Sequence, residues 1–122
     1  ISHTEGNKNT YPIRYLQLWD RPAVENTKPH WEYQTVNRQP DQFTQIAGSS
    51  GIQLKQDSNI YAGIFVNPFT YTATRRAYAY IVRGTGTIND IEYNEGDGFA
   101  VDQETLIGTP NSESEIIVFD LR

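Results

Sequence analysis

The last third of the chain, Arg75 to Leu121, restricts the fold more than any other part. Short runs of β-branched and aromatic residues alternate there with turn residues, and no interval is long enough for a helix. Arg76 to Arg83 puts Ala77, Ala79 and Ile81 on one face and Tyr78, Tyr80 and Val82 on the other, because successive strand side chains point to opposite sides. Gly84-Thr85-Gly86 ends that run. Thr87 to Glu92 then reads as a tight hairpin, since Asn89 and Asp90 tolerate the positive φ angles of a type I′ turn. Glu95-Gly96-Asp97-Gly98 turns into Phe99-Ala100-Val101, and Leu106 to Thr109 makes another short strand. Ile116-Ile117-Val118-Phe119 is expected to be the most buried strand of all. Strands at this spacing predict an all-β fold, a closed or nearly closed antiparallel barrel.

Upstream the signals are sparser. Ile60 to Val66 is dense in strand formers and stops at Asn67-Pro68, and Ile52 and Leu54 alternate with polar residues between two loop signals, which predicts a short strand. Pro22, Pro29 and Pro40 divide Asp20 to Gln42 into a connector without helical period, carrying one short strand at Trp31 to Thr35. Ile13 to Trp19 alternates Ile13, Tyr15, Gln17 and Trp19 against Arg14, Leu16 and Leu18, so a strand is predicted there too.

A chain of 122 residues makes one compact domain, burying roughly two thirds of its extended surface. Hydrophobic residues make up 37%, with 8 Tyr, 5 Phe and 2 Trp, so the large pieces of the core are aromatic. No apolar run nears the ~20 residues of a membrane span, and residues 1 to 10 are polar rather than leader-like, so a soluble, cytoplasmic protein is expected. The absence of cysteine excludes disulfides, thiolate metal sites and cysteine nucleophiles. Residues 1 to 50 hold five basic and five acidic side chains and residues 51 to 122 hold five and ten, which leaves no basic footprint for nucleic acid. The first residue is Ile in a polar, loop-like run, so a processed start or an excised piece of a longer protein is expected.

Several side chains invite chemistry and read better as structure. His30, between Pro29 and Trp31, has no acid or hydroxyl at a meaningful spacing and is expected at the surface. Arg75 and Arg76 enter a strand pointing to opposite faces, which suits solubility or an inter-domain contact better than an anion clamp. Tyr71, Tyr78 and Tyr80 could line a pocket for a flat ligand, but core and barrel-wall packing explains the same stripe. Gly84-Thr85-Gly86 is a β-turn, since no helix follows it. Glu92, Glu95, Asp97, Asp102 and Glu104 lack calcium-loop spacing and read as a solvated edge. No Ser or Thr sits in a nucleophile motif.

The run from Arg75, RRAYAYIVRGTGTINDIEYNEGDGFAVDQETLIGTPNSESEIIVFDL, resembles the C-terminal cupin domain of the pirin family and the bacterial pirin-like quercetinases. LKQDSNIY, Leu54 to Tyr61, is similar to that family's entry into its second cupin. ISHTEGN, RYLQLWDRP and PHWEYQ are similar to its crossing out of the first. The resemblance implies a single cupin, a jelly-roll or double-stranded β-helix barrel, over residues 46–122. Residues 1–45 would be the end of an N-terminal cupin and its connector. It also implies a two-cupin parent whose N-terminal barrel holds a divalent transition metal, most fittingly iron, on three His and one Glu. Two of those metal ligands fall on His3 and Glu5, and a His-x-His upstream of residue 1 would supply the others. Residues two apart on a strand share a face, so an imidazole and a carboxylate at this spacing can converge on one cation. Without the upstream pair, no metal is expected to be retained. In the second barrel itself, the positions where cupins carry ligands fall near Tyr71, Ala73 and Ala77, with Phe99 in place of the later His, so that barrel is expected to be metal-free.

Two functions follow from the resemblance. In the first, the parent is a metal-dependent quercetin 2,3-dioxygenase that opens flavonols with O₂. There Glu5 doubles as the catalytic base, and the present chain is a silent domain without turnover. In the second, the chain is a non-enzymatic binding or regulatory module. The expected partners are the N-terminal cupin half, a flavonoid-like small molecule and a second copy of the chain, by dimerisation or strand exchange through Ile13 to Trp19.

Overall fold

The computed structural model describes residues 3–122. It contains nine β-strands and, among the described residues, no helix: β1 Thr44–Ala47, β2 Asn59–Phe65, β3 Phe69–Thr72, β4 Arg76–Arg83, β5 Gly86–Ile88, β6 Ile91–Tyr93, β7 Gly98–Asp102, β8 Thr105–Pro110 and β9 Ser114–Leu121. They form two antiparallel sheets, a five-stranded one in the order β1-β2-β9-β4-β7 and a four-stranded one in the order β3-β8-β5-β6. The expected all-β barrel therefore forms. No helix of the described residues is long and apolar enough to cross a membrane.

The alternation read from the sequence sets which face of each strand turns inward. Ala77, Ala79 and Ile81 of β4 and Ile116 and Val118 of β9 meet Phe69, Ile88, Tyr93 and Leu106 of the opposite sheet in one buried cluster. The small alanines of β4 leave room for the rings facing them. Strand β9 lies between β2 and β4 and is buried on both faces, with Ile117 in a second cluster beside Ile60, Ala62 and Val82. That double burial explains its unbroken apolar run, since a strand with no wet face has no reason to alternate. The β5–β6 hairpin turns on Asn89 and Asp90 at φ 50° and 65°, the left-handed pair expected for this turn.

Three sequence expectations fail. Ile13 to Trp19 and Trp31 to Thr35 form no strand, and around Ile52 and Leu54 only a single bridge forms, Ile52 to Ala47. A strand is stable only with a neighbour to complete its hydrogen bonds, and among the described residues none pairs with these runs as a ladder. Residues 3–40 instead trail as an arm over the outer face of the five-stranded sheet. Arg14 donates to the carbonyl of Val82 at 2.8 Å, Asp20 accepts from the Ser58 hydroxyl at 2.6 Å, and the Ala23 amide donates to the carbonyl of Lys55 at 2.9 Å. Conversely, β1 and β3 were not anticipated, being four residues each and set beside loop signals.

Candidate functional site

His3 and Glu5 lie on the arm, and the chain between them and Gln17 doubles back through a turn in which the Asn7 side chain donates to the Tyr11 carbonyl at 2.7 Å. His3 Nε2 stands 3.3 Å from Glu5 Oε1, and Gln17 Nε2 stands 3.4 Å from His3 Nε2. The Tyr15 phenol has its pKa raised above the ordinary value, first by its hydrogen bond to Glu5 and then by that carboxylate's charge. The structure thus brings His3 and Glu5 together and adds Tyr15 and Gln17. Neither had been singled out for chemistry, although their period-two alternation put both on one face of the same run. All four face water, and Glu5 and Tyr15 share an open depression of about 530 Å³ with Pro12 and Ile13.

The donors suit a transition metal in kind, because imidazole and carboxylate together make the facial sites used by non-haem iron. They fall short in number. Among the described residues no three His, Cys, Asp or Glu side chains stand close enough to share an ion. A metal here would need donors beyond His3 and Glu5.

Inside the barrel, Ala73, Ala77 and the partly buried Tyr71 and Phe99 are part of the packed core. Those four residues present methyl groups and rings to the barrel interior. At one side of the barrel the wall is polar. Asp120, at the end of β9, is buried to 8% exposure; its Oδ1 accepts from Arg75 Nε at 2.6 Å, and its Oδ2 accepts from the Tyr71 hydroxyl at a long 3.3 Å. Arg75 also reaches Asp57 at 3.1 Å, so it serves an internal ion pair rather than the solvent or inter-domain contact expected of it. Burial, followed by the charge of Asp120, holds the Tyr71 phenol protonated well above its usual range.

The remaining candidates separate. Tyr71 faces inward, while Tyr78 packs near Phe119 on the outer face and Tyr80 joins the outer cluster, so the tyrosines never form one pocket. His30 Nε2 sits 3.5 Å from Glu32 on the surface, so the imidazole does have an acidic partner, two residues away. Of the acidic edge, Glu95 pairs with Arg14 at 2.8 Å and Asp97 caps the Asn94 amide at 2.7 Å, which are structural tasks.

Residues 44–121 match the family described as the quercetinase C-terminal cupin domain. The chain is 25% identical over 130 residues to the quercetin 2,3-dioxygenase of Escherichia coli strain K12, an alignment that takes in 99% of this chain and 56% of that protein. It thus spans about half the length of the curated relatives it matches. Among solved structures it is similar to the crystal structure of YhhW from Escherichia coli, with a TM-score of 0.73 and 22% identity over 83% of this chain and 47% of that one. The same protein, called a bacterial pirin and solved with nickel(II), gives a TM-score of 0.71 at 22% identity, over 82% and 47% of the two chains. A cupin-2 domain protein from Shewanella frigidimarina gives 0.52 at 14% identity, over 70% and 85%. At these identities the likeness is one of fold, and the fold is an all-β cupin.

Proposed function

The chain belongs to the quercetinase C-terminal cupin domain family, and from that premise we propose that it is the metal-free half of a two-cupin, metal-dependent flavonol dioxygenase of the quercetin 2,3-dioxygenase type. The observation that carries the proposal is the contrast between its two places for ligands. The barrel's own ligand positions hold Tyr71, Ala73, Ala77 and Phe99 in the core, whereas the imidazole and carboxylate that do approach each other, at 3.3 Å, lie outside the barrel on the arm.

In this reading the arm ahead of β1 completes a first cupin, and His3 and Glu5 hold the metal together with donors supplied by that first barrel. The relative solved with nickel(II) supports a divalent metal in such a two-barrel protein. Iron is the ion we assign, for its fit to a His-and-carboxylate set. When bound, the metal would supply Lewis-acid and O₂ chemistry for the flavonol. Glu5 takes the proton of the substrate hydroxyl, for which a carboxylate within hydrogen-bond reach suffices. Tyr15, whose phenol feels the Glu5 carboxylate, and Gln17, beside His3, orient those two side chains. The packed second barrel supplies a rigid wall and takes no part in the chemistry. We place the domain in the cytoplasm, which a chain without cysteine suits.

Mixed with quercetin, O₂ and Fe(II), Mn(II), Cu(II) or Ni(II), the chain by itself is expected to add nothing to the rate of free metal; repeated turnover above that rate would overturn the silent-domain reading. In a two-cupin protein carrying this sequence, His3→Ala and Glu5→Gln are expected to lower bound metal and quercetin consumption in step. Full metal content in both variants would remove the pair from the site.

A further inference from the structure

A side opening of about 700 Å³ lies between the edge of the four-stranded sheet, strand β3, and the β1–β2 edge of the five-stranded one. Its size is that of a small-ligand site, which runs at roughly 300–1,000 Å³. None of His3, Glu5, Tyr15 or Gln17 lines it. We propose that this cleft binds a small organic cation, an alkylated or aryl ammonium, over the ring surface that Phe43, Tyr61 and Tyr71 leave to the opening and beside the carboxylate of Asp120.

The three rings pack against one another at an angle and make one wall of the opening. Phe43 and Tyr71 are 5.5 Å apart at 77°, and Tyr61 and Tyr71 are 5.6 Å apart at 57°. All three are only partly buried, so ring surface is left to the opening. A cation within about 6 Å of such a ring is drawn to the negative face of its π-system. The charges point the same way. The lining contains Asp41 and Asp120 and no Lys, Arg or His; Asp41 is committed to the amides of Val66 and Asn67 and to the Asn67 side chain, so Asp120 is the carboxylate a ligand would meet. Arg75 reaches Asp120 without lining the cleft, and it divides its guanidinium between Asp120 and Asp57. Asp120 Oδ2 therefore has only the long 3.3 Å contact from Tyr71, and it keeps acceptor capacity in a partly desolvated site. Tyr71 remains a neutral wall, since burial raises its phenol's pKa.

An anion would meet two carboxylates here within a chain of net charge −5. A neutral apolar molecule would gain from the rings and leave Asp120 unused. An ammonium with methyl or aryl groups uses both.

Calorimetric titration of the chain with choline and with phenyltrimethylammonium, against 3,3-dimethyl-1-butanol as the uncharged isostere of choline, tests the assignment. Both cations are expected to saturate one site, with the isostere binding at least about tenfold more weakly, as loss of a desolvated cation–π and carboxylate contact requires. Tyr61→Leu is expected to weaken the cations about fivefold and to leave the isostere unchanged. Should that variant fold poorly, ring-proton shifts of Phe43, Tyr61 and Tyr71 during titration of the unaltered chain give the same answer. Equal binding of the isostere, preference for phenol or benzoate, or no saturation at any soluble concentration of cation would each overturn the proposal.

Discussion

Tyr93 shows how much a single side chain holds in this barrel. It is 1% exposed, and its hydroxyl donates to Ser114 Oγ at 2.9 Å, which passes a hydrogen bond on to the Ser112 carbonyl at 2.9 Å. Tyr93→Phe keeps the ring and deletes that link. It is expected to lower unfolding free energy by about 1 kcal/mol in urea titrations, the typical net value of a buried hydrogen bond. The same residue gives the protein an alkaline limit. Burial raises the pKa of Tyr93, and burial with the charge of Asp120 raises that of Tyr71, both from an ordinary 10.0. A raised phenol favours the folded state fully below its unfolded pKa, and that contribution is lost as pH climbs through the folded value. Melting temperatures are therefore expected to fall above pH 10, with a shallower decline in Tyr71→Phe and Tyr93→Phe. An unchanged slope in both variants would locate the alkaline limit elsewhere. Which of these residues could be read from the sequence depends on range. The inward set Ala77, Ala79, Ile81 and the turn pair Asn89-Asp90 follow from neighbours in the chain. The Asp120–Arg75 pair joins positions 45 apart, and nothing local to either announces the other.

At the level of strands, the four-residue β3 depends on two contacts that a sequence does not display. Its turn from β2 is clamped from outside, because the Asp41 carboxylate accepts from the amides of Val66 and Asn67 at 2.8 and 2.9 Å and from the Asn67 side chain at 2.8 Å. Those donors, Asn67 first, pull the Asp41 pKa below the usual carboxylate range. A depressed acid stabilises the fold above its unfolded pKa and ceases to as pH drops through the folded one. Acid melting curves should therefore lose stability below about pH 4, and Asp41→Asn is expected to flatten that limb and lower the neutral melting point. Identical acid limbs in the two proteins would dismiss the clamp. The second contact is Gly108, paired with Phe69 across β3 and β8. A Cβ at Gly108 would come within 2.0 Å of the Phe69 ring, which is buried in the core and cannot swing aside. Gly108→Ala is expected to cost about 1–3 kcal/mol through overpacking, and a smaller residue at 69, as in Phe69→Leu, should recover part of it. Strictly additive losses in the double variant would count against a direct clash. Short strands of this kind escape sequence reading because their pairing, rather than their own pattern, stabilises them. The opposite holds for Ile13 to Trp19, which alternates as a strand does but finds no pairing partner among the described residues.

The whole molecule is uneven in where it hides apolar surface. The barrel draws its core from Phe43 to Val118. Trp19, Trp31 and Tyr33 of the arm remain 82%, 86% and 77% exposed, and Tyr11, Ile13, Tyr15 and Val24 of the same arm are exposed as well. The arm touches the sheet through isolated polar contacts, among them Arg14 to Glu95 and Arg38 to Glu115. Beneath it lies an open groove of about 480 Å³ lined by Leu18, Val36, Ile60, Ala62 and Ile117. A folded monomer seldom carries so many exposed large apolar side chains on one segment, and such a surface drives association with another chain. The sequence at micromolar concentration is accordingly expected to self-associate in light scattering, and to do so less as salt is lowered, since the contact is apolar and the chain's net charge of −5 repels its copies. Removing residues 1–40 should leave a barrel that melts cooperatively and scatters as a monomer, because the core clusters contain none of those residues. Association that persists without the arm would transfer the sticky surface to the exposed β1 and β3 edges, where unpaired amides offer the other physical route to pairing.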